Sequence, residues 1–212
     1  MNRRDLFSAS LGGCAASPGA ALIPNVLLRT HDDVPVRFYD DLVKGKQVII
    51  NMMYTHCAEF CPLITARLAE VHRALAPRMG RDLFMYSITL KPEEDDPAAL
   101  RRFAEAQHAL LPGWQFLTGD AFDLETLRFA LFRHDHIKLD LDLEAHAARL
   151  RIINDAIHRW LHVAPMASKA TVLQHIAWAD PPKTAAQRRQ DNLELQRQID
   201  AEVERFGYRK MI

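Results

Sequence analysis

Two closely spaced cysteines are the residues of this sequence best suited to chemistry. Cys57 and Cys61 are separated by three residues, and Pro62 follows the second of them. On a helix, residues at this spacing lie on one face, about 6 Å apart between Cα atoms, which is within the range of a disulfide. The same spacing allows two thiolates to hold one soft metal ion. The spacing alone leaves open a structural disulfide, a redox couple and a pair of metal ligands.

The flanking segments predict that the cysteines lie between a buried strand and a helix. Residues 47–54 form a continuous apolar run rich in Val and Ile, which is typical of a buried strand. After Cys61, apolar residues recur at helical spacing, namely Ile64, Leu68, Val71 and Leu75. A helix beginning near Glu59 or Phe60 would direct the positive end of its dipole at both sulfurs. We therefore expect both thiols to be reactive, with lowered pKa values.

Further strands and helices alternate along the chain. Strands are predicted at 83–90, 114–119 and 148–154, and helices at 96–110, 123–132, 168–178 and 185–206. Asp96, Asp123 and Ser168 are the predicted helix caps, and Pro97 follows the first of them. The last helix is charged with a narrow apolar stripe, and it is expected to dock back or to meet a partner. The alternation predicts an α/β fold with a central sheet flanked by helices. The cysteines then lie at the carboxyl end of a central strand, where sites form in such sheets.

Two sulfurs alone do not complete a metal site, so a further ligand must come from elsewhere, and the ten histidines are the obvious source. Six of them are expected to be surface, linker or structural residues: His31, His72, His108, His158, His162 and His175. His56 adjoins Cys57 and could tune a thiolate, although a loop residue is the favoured interpretation. His134 and His136 form a His-x-His pair in an acidic stretch, where a solvated loop is favoured over a metal site. Composition alone does not distinguish His146.

Composition narrows the class of protein. The chain has 212 residues, 49% of them hydrophobic, with 27 basic and 27 acidic side chains. This length favours one domain. A neutral chain gives no electrostatic reason to bind nucleic acid or an anionic membrane. No stretch of the sequence reaches the ~18 apolar residues of a spanning helix.

The N-terminus predicts export. A basic pair, Arg3–Arg4, precedes a weakly apolar run and then small residues, and Arg-Arg-x-Leu-Phe resembles a twin-arginine signal. Cys14 lies in Leu-Gly-Gly-Cys, close to a lipoprotein cleavage box, so either a lipid tether to the membrane or an ordinary signal-peptide cysteine is consistent with it. We predict three parts: a signal or anchor segment at 1–25, the domain at 26–182 and a helical extension at 183–212.

Four segments in order resemble the SCO/SenC family of copper proteins, which are thioredoxin-like domains of exported or membrane-facing proteins. They are RFYDDLVKGK at 37–46, MYTHCAEFCP at 53–62, MYSITLKPEEDDPAALRRFAE at 85–105 and WQFLTG at 114–119. The family motif is Cys-x-x-x-Cys-Pro after a buried strand, often with Tyr-Thr before it. The likeness spans roughly residues 25–180 and implies a thioredoxin-like central sheet, with the last helix as an addition.

The resemblance also implies a third metal ligand. In one branch of the family, the ligand histidine opens a segment of His, a few residues, Leu-Arg, Asn, a few residues and Arg-Trp. The segment HAARLRIINDAIHRW at 146–160 is similar to it. By this resemblance, Cys57, Cys61 and His146 form a three-coordinate copper site. Two sulfurs and one imidazole can accept Cu(I) and also tolerate Cu(II).

The resemblance implies a metallochaperone that receives copper, for instance from a donor chaperone. Its target would be the copper centre of cytochrome c oxidase or a related exported protein. An enzymatic alternative uses the same two cysteines as the catalytic couple of a thiol–disulfide oxidoreductase that reduces cysteines of a partner, and it does not need His146. A structural disulfide in an exported binding module is the third interpretation.

Overall fold

The computed structural model describes residues 22–57, 60–132 and 149–206. Seven strands lie in the described residues: β1 Leu27–Thr30, β2 Pro35–Arg37, β3 Gln47–Met53, β4 Leu83–Thr89, β5 Trp114–Gly119, β6 Leu150–Asn154 and β7 Arg159–Val163. Five α-helices accompany them: α1 Phe60–Ala74, α2 Pro97–Ala106, α3 Ala121–Phe132, α4 Lys169–Ala179 and α5 Ala185–Phe206. A short π-helix at Phe38–Val43 and a 3-10 turn at Asp155–Ile157 complete the described elements.

The seven strands form one mixed sheet in the order β2-β1-β5-β4-β3-β6-β7. The three middle strands β3, β4 and β5 are parallel, and the outer strands pair antiparallel to their neighbours. Parallel strands need crossover connections, and α1 and α2 provide them. This is the predicted thioredoxin-like α/β arrangement, and it puts the carboxyl ends of β3 and β4 side by side.

The core has two layers, one on each face of the sheet. Every residue of β3 is buried, because helices cover both of its faces. Its side chains alternate: Ile49 and Met53 pack with α1, α2 and α4, whereas Ile50 and Met52 pack with α3 and the π-helix. Both cysteines belong to the first layer.

A chain of buried polar side chains crosses the middle of the sheet. Asn51 lies opposite Ser87 in the β3–β4 register, and the Ser87 hydroxyl donates to the Asn51 Oδ1 at 2.8 Å. The indole Nε1 of Trp114 donates to the same hydroxyl at 3.0 Å. A slip of one residue would break these buried bonds, so they fix the alignment of three strands.

Most predicted elements are confirmed, with local corrections. Strands β1, β2 and β7 are not among the predicted strands. Helix α2 ends at Ala106 rather than at 110, so His108 lies after it with a φ of 51°. The cap of α3 is Asp120, whose carboxylate accepts from the amides of Phe122 and Asp123, so the predicted cap Asp123 is wrong. Caps at Asp96 and Ser168 are confirmed by bonds to the amides three residues on.

The chain divides into two compact units, residues 1–179 and 180–212. In the second unit, α5 begins with a capping box: the Thr184 hydroxyl accepts from the Gln187 amide, and the Gln187 side chain accepts from the Thr184 amide. Among the described helices, none combines the length and the apolar character that crossing a membrane requires.

Candidate metal centre

The two cysteines lie where β3 gives way to α1, as predicted. Cys57 follows the end of β3, and Cys61 is in the first turn of α1, which is described from Phe60 onward. Both are free thiols. The backbone amide of Cys61 donates to the Cys57 sulfur at 3.3 Å, so the two residues are already in contact. Both are buried, Cys57 at 9% exposed and Cys61 at 1% exposed, so Cys57 is the less enclosed of the two.

The Cys57 thiol is the more acidic of the two. Burial raises its pKa, but hydrogen bonds from the backbone amides of Cys61 and Phe60 and from the Tyr54 side chain outweigh burial, so the pKa lies below its ordinary value. These amides are at the start of a helix, where N–H groups have no partner within the helix. The prediction of an activated thiol at this position is confirmed.

The Cys61 thiol differs from the prediction. Its pKa is raised to about 12, mainly by burial and also by the hydrogen bond and charge of Cys57 and the charge of Asp95, against the lowering effect of the Tyr54 backbone amide. Removal from water opposes the thiolate more strongly than the helix start favours it. The expectation that both thiols are activated is therefore wrong for Cys61.

A buried carboxylate behind the cysteine loop was missed in the sequence. Asp95 is 0% exposed and lies between β4 and α2. It accepts hydrogen bonds from the amide of Thr55 at 3.2 Å, from the Thr55 hydroxyl at 2.5 Å and from the Thr89 hydroxyl at 2.5 Å. The only sequence signal was the acidic doublet Asp95–Asp96, of which the second residue has the familiar role of a helix cap.

Three exposed or half-exposed side chains, His56, Lys91 and Glu94, form a polar rim beside the cysteine loop. His56 is exposed, and its Nδ1 lies 3.4 Å from a carboxylate oxygen of Glu94. The ammonium of Lys91 pairs with Glu94 at 3.3 Å and lies 4.9 Å from the centre of the Tyr54 ring. His56 is thus a loop residue beside the thiols, as the favoured interpretation had it.

The other histidines fall into two groups. Among those described, His72 is buried in α1 and bonds to the Pro112 carbonyl, and His175 in α4 bonds to the Thr171 carbonyl, so both serve packing and local structure. The predicted ligand His146 and the pair His134 and His136 lie outside the described residues. Within the described ranges, no three His, Cys, Asp or Glu side chains cluster in a way that could hold a metal ion.

A surface pocket of about 420 Å³ has no comparable chemistry. It is lined by His31, Asp32, Asp33, Asp96, Pro97, Ala98 and Arg101. Its charged side chains already have partners: Arg101 pairs with Asp32, Asp33 pairs with the neighbouring Arg29, and Asp96 caps α2. The Nδ1 of His31 accepts from the Phe116 amide at 3.2 Å. The cysteine loop is therefore the better candidate site.

The donor set at the loop fits a soft metal ion. The Cys57 sulfur accepts from the Cys61 amide, and both cysteines belong to the buried apolar cluster that includes Met53 and Ile64, so the site is largely shielded from water. Soft thiolate ligands select Cu(I), zinc and iron–sulfur clusters over hard cations. The described residues supply two thiolate ligands, and a third ligand would have to come from outside the described residues.

Comparison with known proteins agrees with this architecture. The SCO1 protein homolog of Bacillus subtilis is 30% identical over 77 residues, which cover 36% of this chain and 39% of that protein. The chain thus spans about two fifths, or less, of the length of the curated relatives it matches.

Solved structures show the same fold at low identity. Copper-bound ScoI of Bradyrhizobium japonicum has a TM-score of 0.56 at 21% identity, covering 73% of this chain and 96% of the other. BsSco, described as having a disulfide switch and as a member of the Sco family of cytochrome c oxidase assembly proteins, has a TM-score of 0.57 at 20% identity, covering 73% and 90%. The family model for SCO1/SenC matches residues 27–179, which include every strand and both cysteines. This chain belongs to the SCO1/SenC family.

Proposed function

We propose that this protein is a copper metallochaperone that binds copper as cargo through Cys57, Cys61 and His146. The observation that supports it best is the hydrogen bond from the Cys61 amide to the Cys57 sulfur, which brings two free cysteines together just beyond β3, in a chain that belongs to the SCO1/SenC family. Relatives with this fold have been solved with copper bound. Copper is an ion that thiolate ligands favour, and here it would be bound as cargo.

Release of cargo follows from the chemistry of the site. Both sulfurs must be thiolates to hold the metal, so binding displaces the protons that remain on the thiols, above all the one that Cys61 retains. The more acidic and less enclosed Cys57 would engage an incoming ion first, and Cys61 would follow with loss of its proton. Conversion of the two thiols to a disulfide, with loss of two protons and two electrons to an oxidant, removes the ligands. Loading is therefore gated by redox state.

We propose that the receiving partner is a cytochrome c oxidase subunit or a related exported copper protein, and that a donor chaperone loads the site. This proposal draws on the BsSco relative. It places the protein in the periplasm or on the periplasmic face of the inner membrane, as the Arg3–Arg4 signal predicts. The division at residues 25 and 182, and the membrane tether through Cys14, remain predictions.

Copper titration of single variants tests the site. We expect Cys57→Ala and His146→Ala each to weaken Cu(I) binding by at least about a hundredfold, measured by competition with a chromophoric chelator, because each removes one of three ligands. His162→Ala is the matched control, since it removes an imidazole from exposed β7. Unchanged affinity in both ligand variants would contradict the proposal, and loss in Cys57→Ala alone would exclude His146.

The unequal thiols favour thiol–disulfide exchange as a second candidate. The acidic Cys57 would attack a partner's disulfide and form a mixed disulfide, and the partner's other sulfur would leave as a thiolate. Cys61 would then lose its proton and attack Cys57, which releases the second partner sulfur and leaves a disulfide here. The partner gains two electrons and this protein loses two.

Trapping distinguishes the second candidate from the first. If exchange is the function, Cys61→Ala accumulates the mixed disulfide with a disulfide-containing peptide, and mass spectrometry detects it. Cys57→Ala is the control, because it lacks the attacking thiol and should trap nothing. Absence of the adduct in Cys61→Ala, together with no turnover by the unaltered protein, would exclude this candidate.

A further inference from the structure

We propose that Asp95 is a positioning residue of the copper site, which fixes the cysteine loop to the end of β4 and favours the Cu(II)-bound form over the Cu(I)-bound form by its charge. This inference rests on the proposed function for its copper half only. Its other half, the fixing of the loop, concerns the metal-free protein.

The geometry around Asp95 is that of a tie between two strand ends. One carboxylate receives the amide and the hydroxyl of Thr55, beyond the end of β3, and the hydroxyl of Thr89, the last residue of β4. The Thr89 hydroxyl in turn accepts from the Lys91 amide at 2.9 Å. Buried hydrogen bonds to a charged group are about twice as strong as neutral ones. Asp95 therefore holds the two strand ends together more firmly than a neutral side chain would.

The tie reaches the sulfurs through a short turn. Thr55 lies inside the turn in which the Cys57 amide donates to the Tyr54 carbonyl at 3.4 Å. Tyr54 also contributes hydrogen bonds to both sulfurs, from its backbone amide to Cys61 and from its side chain to Cys57. A shift of Thr55 would consequently move the groups that orient the thiols.

The second effect of Asp95 is electrostatic. All three of its hydrogen-bond donors are neutral groups, and the carboxylate is buried. Two thiolates and one imidazole around Cu(I) carry one net negative charge, whereas around Cu(II) they carry none. A fixed negative charge behind the site opposes the first state and leaves the second unaffected, so it favours Cu(II) relative to Cu(I). Its hydrogen-bond partner Thr55 precedes Cys57 by two residues, so the charge lies close behind the site.

The copper half is tested by two competition titrations on Asp95→Asn, one with Cu(I) and one with Cu(II), each against a chelator selective for that ion. We expect the ratio of the Cu(II) to the Cu(I) association constant to fall about tenfold. That change corresponds to about 59 mV in a one-electron couple. The matched control is Asp96→Asn, which removes a charge one residue away at an exposed helix cap and should leave the ratio within about twofold.

The loop half is tested by amide hydrogen exchange in the reduced, metal-free protein. Asp95→Asn replaces a charged acceptor with a neutral one, and exchange of the Thr55 amide should become about tenfold faster. Amides of β3, such as that of Ile50, report on global stability and should be unchanged. The variant Thr89→Val keeps the charge of Asp95 but loses the hydroxyl that donates to it and that accepts from the Lys91 amide, and we expect it to speed Thr55 exchange without altering the copper ratio.

The outcomes separate the proposals. If the unaltered protein binds neither copper ion, the proposed function fails and the charge effect fails with it, while the exchange result still decides the tie. If copper binds but Asp95→Asn leaves the ratio unchanged, the charge effect is wrong and the function stands. If Thr55 exchange is unchanged in Asp95→Asn, or if Ile50 accelerates equally, the tie is wrong.

Discussion

The central strand β3 has a buried aspartate near each of its ends, and the two aspartates do different work. Beyond the carboxyl end, Asp95 binds Thr55 and Thr89 and holds the loop that bears the cysteines. At the amino end, Asp155 follows β6, whose last residue lies opposite the first residue of β3. Its carboxylate accepts from the Gly45 amide at 2.8 Å and from the Tyr39 hydroxyl at 3.4 Å.

The two carboxylates use the same local device. Each is almost fully buried, with exposures of 0% and 4%, and each fixes a turn next to β3 by accepting a backbone amide. At the amino end, the fixed turn contains Gly45 with a φ of 70°, and we find no reactive group among the partners of Asp155. At the carboxyl end, the fixed turn leads to two thiols. The role of a buried carboxylate therefore depends on the residues that follow its turn, and the turn at Asp95 is followed by the two cysteines.

The largest expected effect is a difference in reactivity between the two thiols at the carboxyl end. At pH 7.5 we expect Cys57 to be alkylated about fiftyfold faster than Cys61, because its thiolate is far more populated, although a less basic thiolate is intrinsically less nucleophilic. Thiolate forms as pH rises, so the Cys57 rate should level off at a lower pH than that of an ordinary thiol, because its pKa is lowered, whereas the Cys61 rate should still be rising toward pH 12. Peptide mass spectrometry after timed alkylation measures both rates. Equal rates at pH 7.5 would show that the site is symmetric.

The next effect is on stability at the amino end. Asp155→Ala leaves the amide of Gly45 and the hydroxyl of Tyr39 without their acceptor, and it should lower the free energy of unfolding by about 2 kcal/mol. Copper affinity should be unchanged, in contrast to the Asp95 variant. Urea denaturation measures the loss of stability, and copper titration measures the affinity. Glu70→Ala, on the exposed face of α1, is the control for both. A copper defect in Asp155→Ala would remove the distinction between the two ends.

A smaller effect separates the two members of the acidic doublet. Asp96→Ala removes the cap that accepts from the Ala99 amide, which should lower the free energy of unfolding by about 1 kcal/mol. Because Asp96 is exposed at the start of α2, hydrogen exchange at Thr55 should not change. If Thr55 exchange accelerates in this variant, the cap and the tie are coupled and the two residues cannot be assigned separate roles.

The smallest effect concerns the rim. Glu94→Gln removes the partner of the exposed His56 and of Lys91, and it should change the free energy of unfolding by less than about 0.5 kcal/mol, because solvent screens such pairs. The effect should shrink further in 1 M salt. Urea denaturation at low and high salt measures it. A change of more than about 1 kcal/mol would show that the rim is part of the tie rather than a solvated edge.

Much of the fold could be predicted because its central elements have strong local patterns. The continuous apolar run of β3 corresponds to a strand that is buried on both faces. The helical spacing of apolar residues after Cys61 corresponds to a helix that is buried on one face. Strand β1 has only four residues with an alternating pattern, and β7 is mostly half-exposed, so neither has a periodicity that stands out from a loop. The cap of α3 was misplaced because Asp120 and Asp123 are both suitable by residue type, and the choice depends on where the β5 strand ends.

The site was predictable only in part, for a different reason. The spacing of the cysteines is a local property, and it placed both thiols correctly at the strand end. Burial is a tertiary property, and it reverses the expected acidity of Cys61. Asp96 could be predicted as a helix cap because Pro97 follows it, whereas nothing in the sequence marks Asp95 as a fully buried carboxylate. The assignment of His146 as third ligand stays a prediction, because it lies outside the described residues.

The alignment of β3 with β4 has a consequence for how the site tolerates change. Met53 lies opposite Thr89, so the Asp95 tie connects two strand ends that are level with each other. A step of one residue along a strand is ~3.3 Å and turns the side chain to the opposite face. The bonds of Asn51, Ser87 and Trp114 in mid-sheet hold that alignment. The position of the cysteine loop relative to the end of β4 therefore depends on these interior bonds, and we expect a substitution at Ser87 to shift a loop to whose described residues Ser87 itself makes no hydrogen bond.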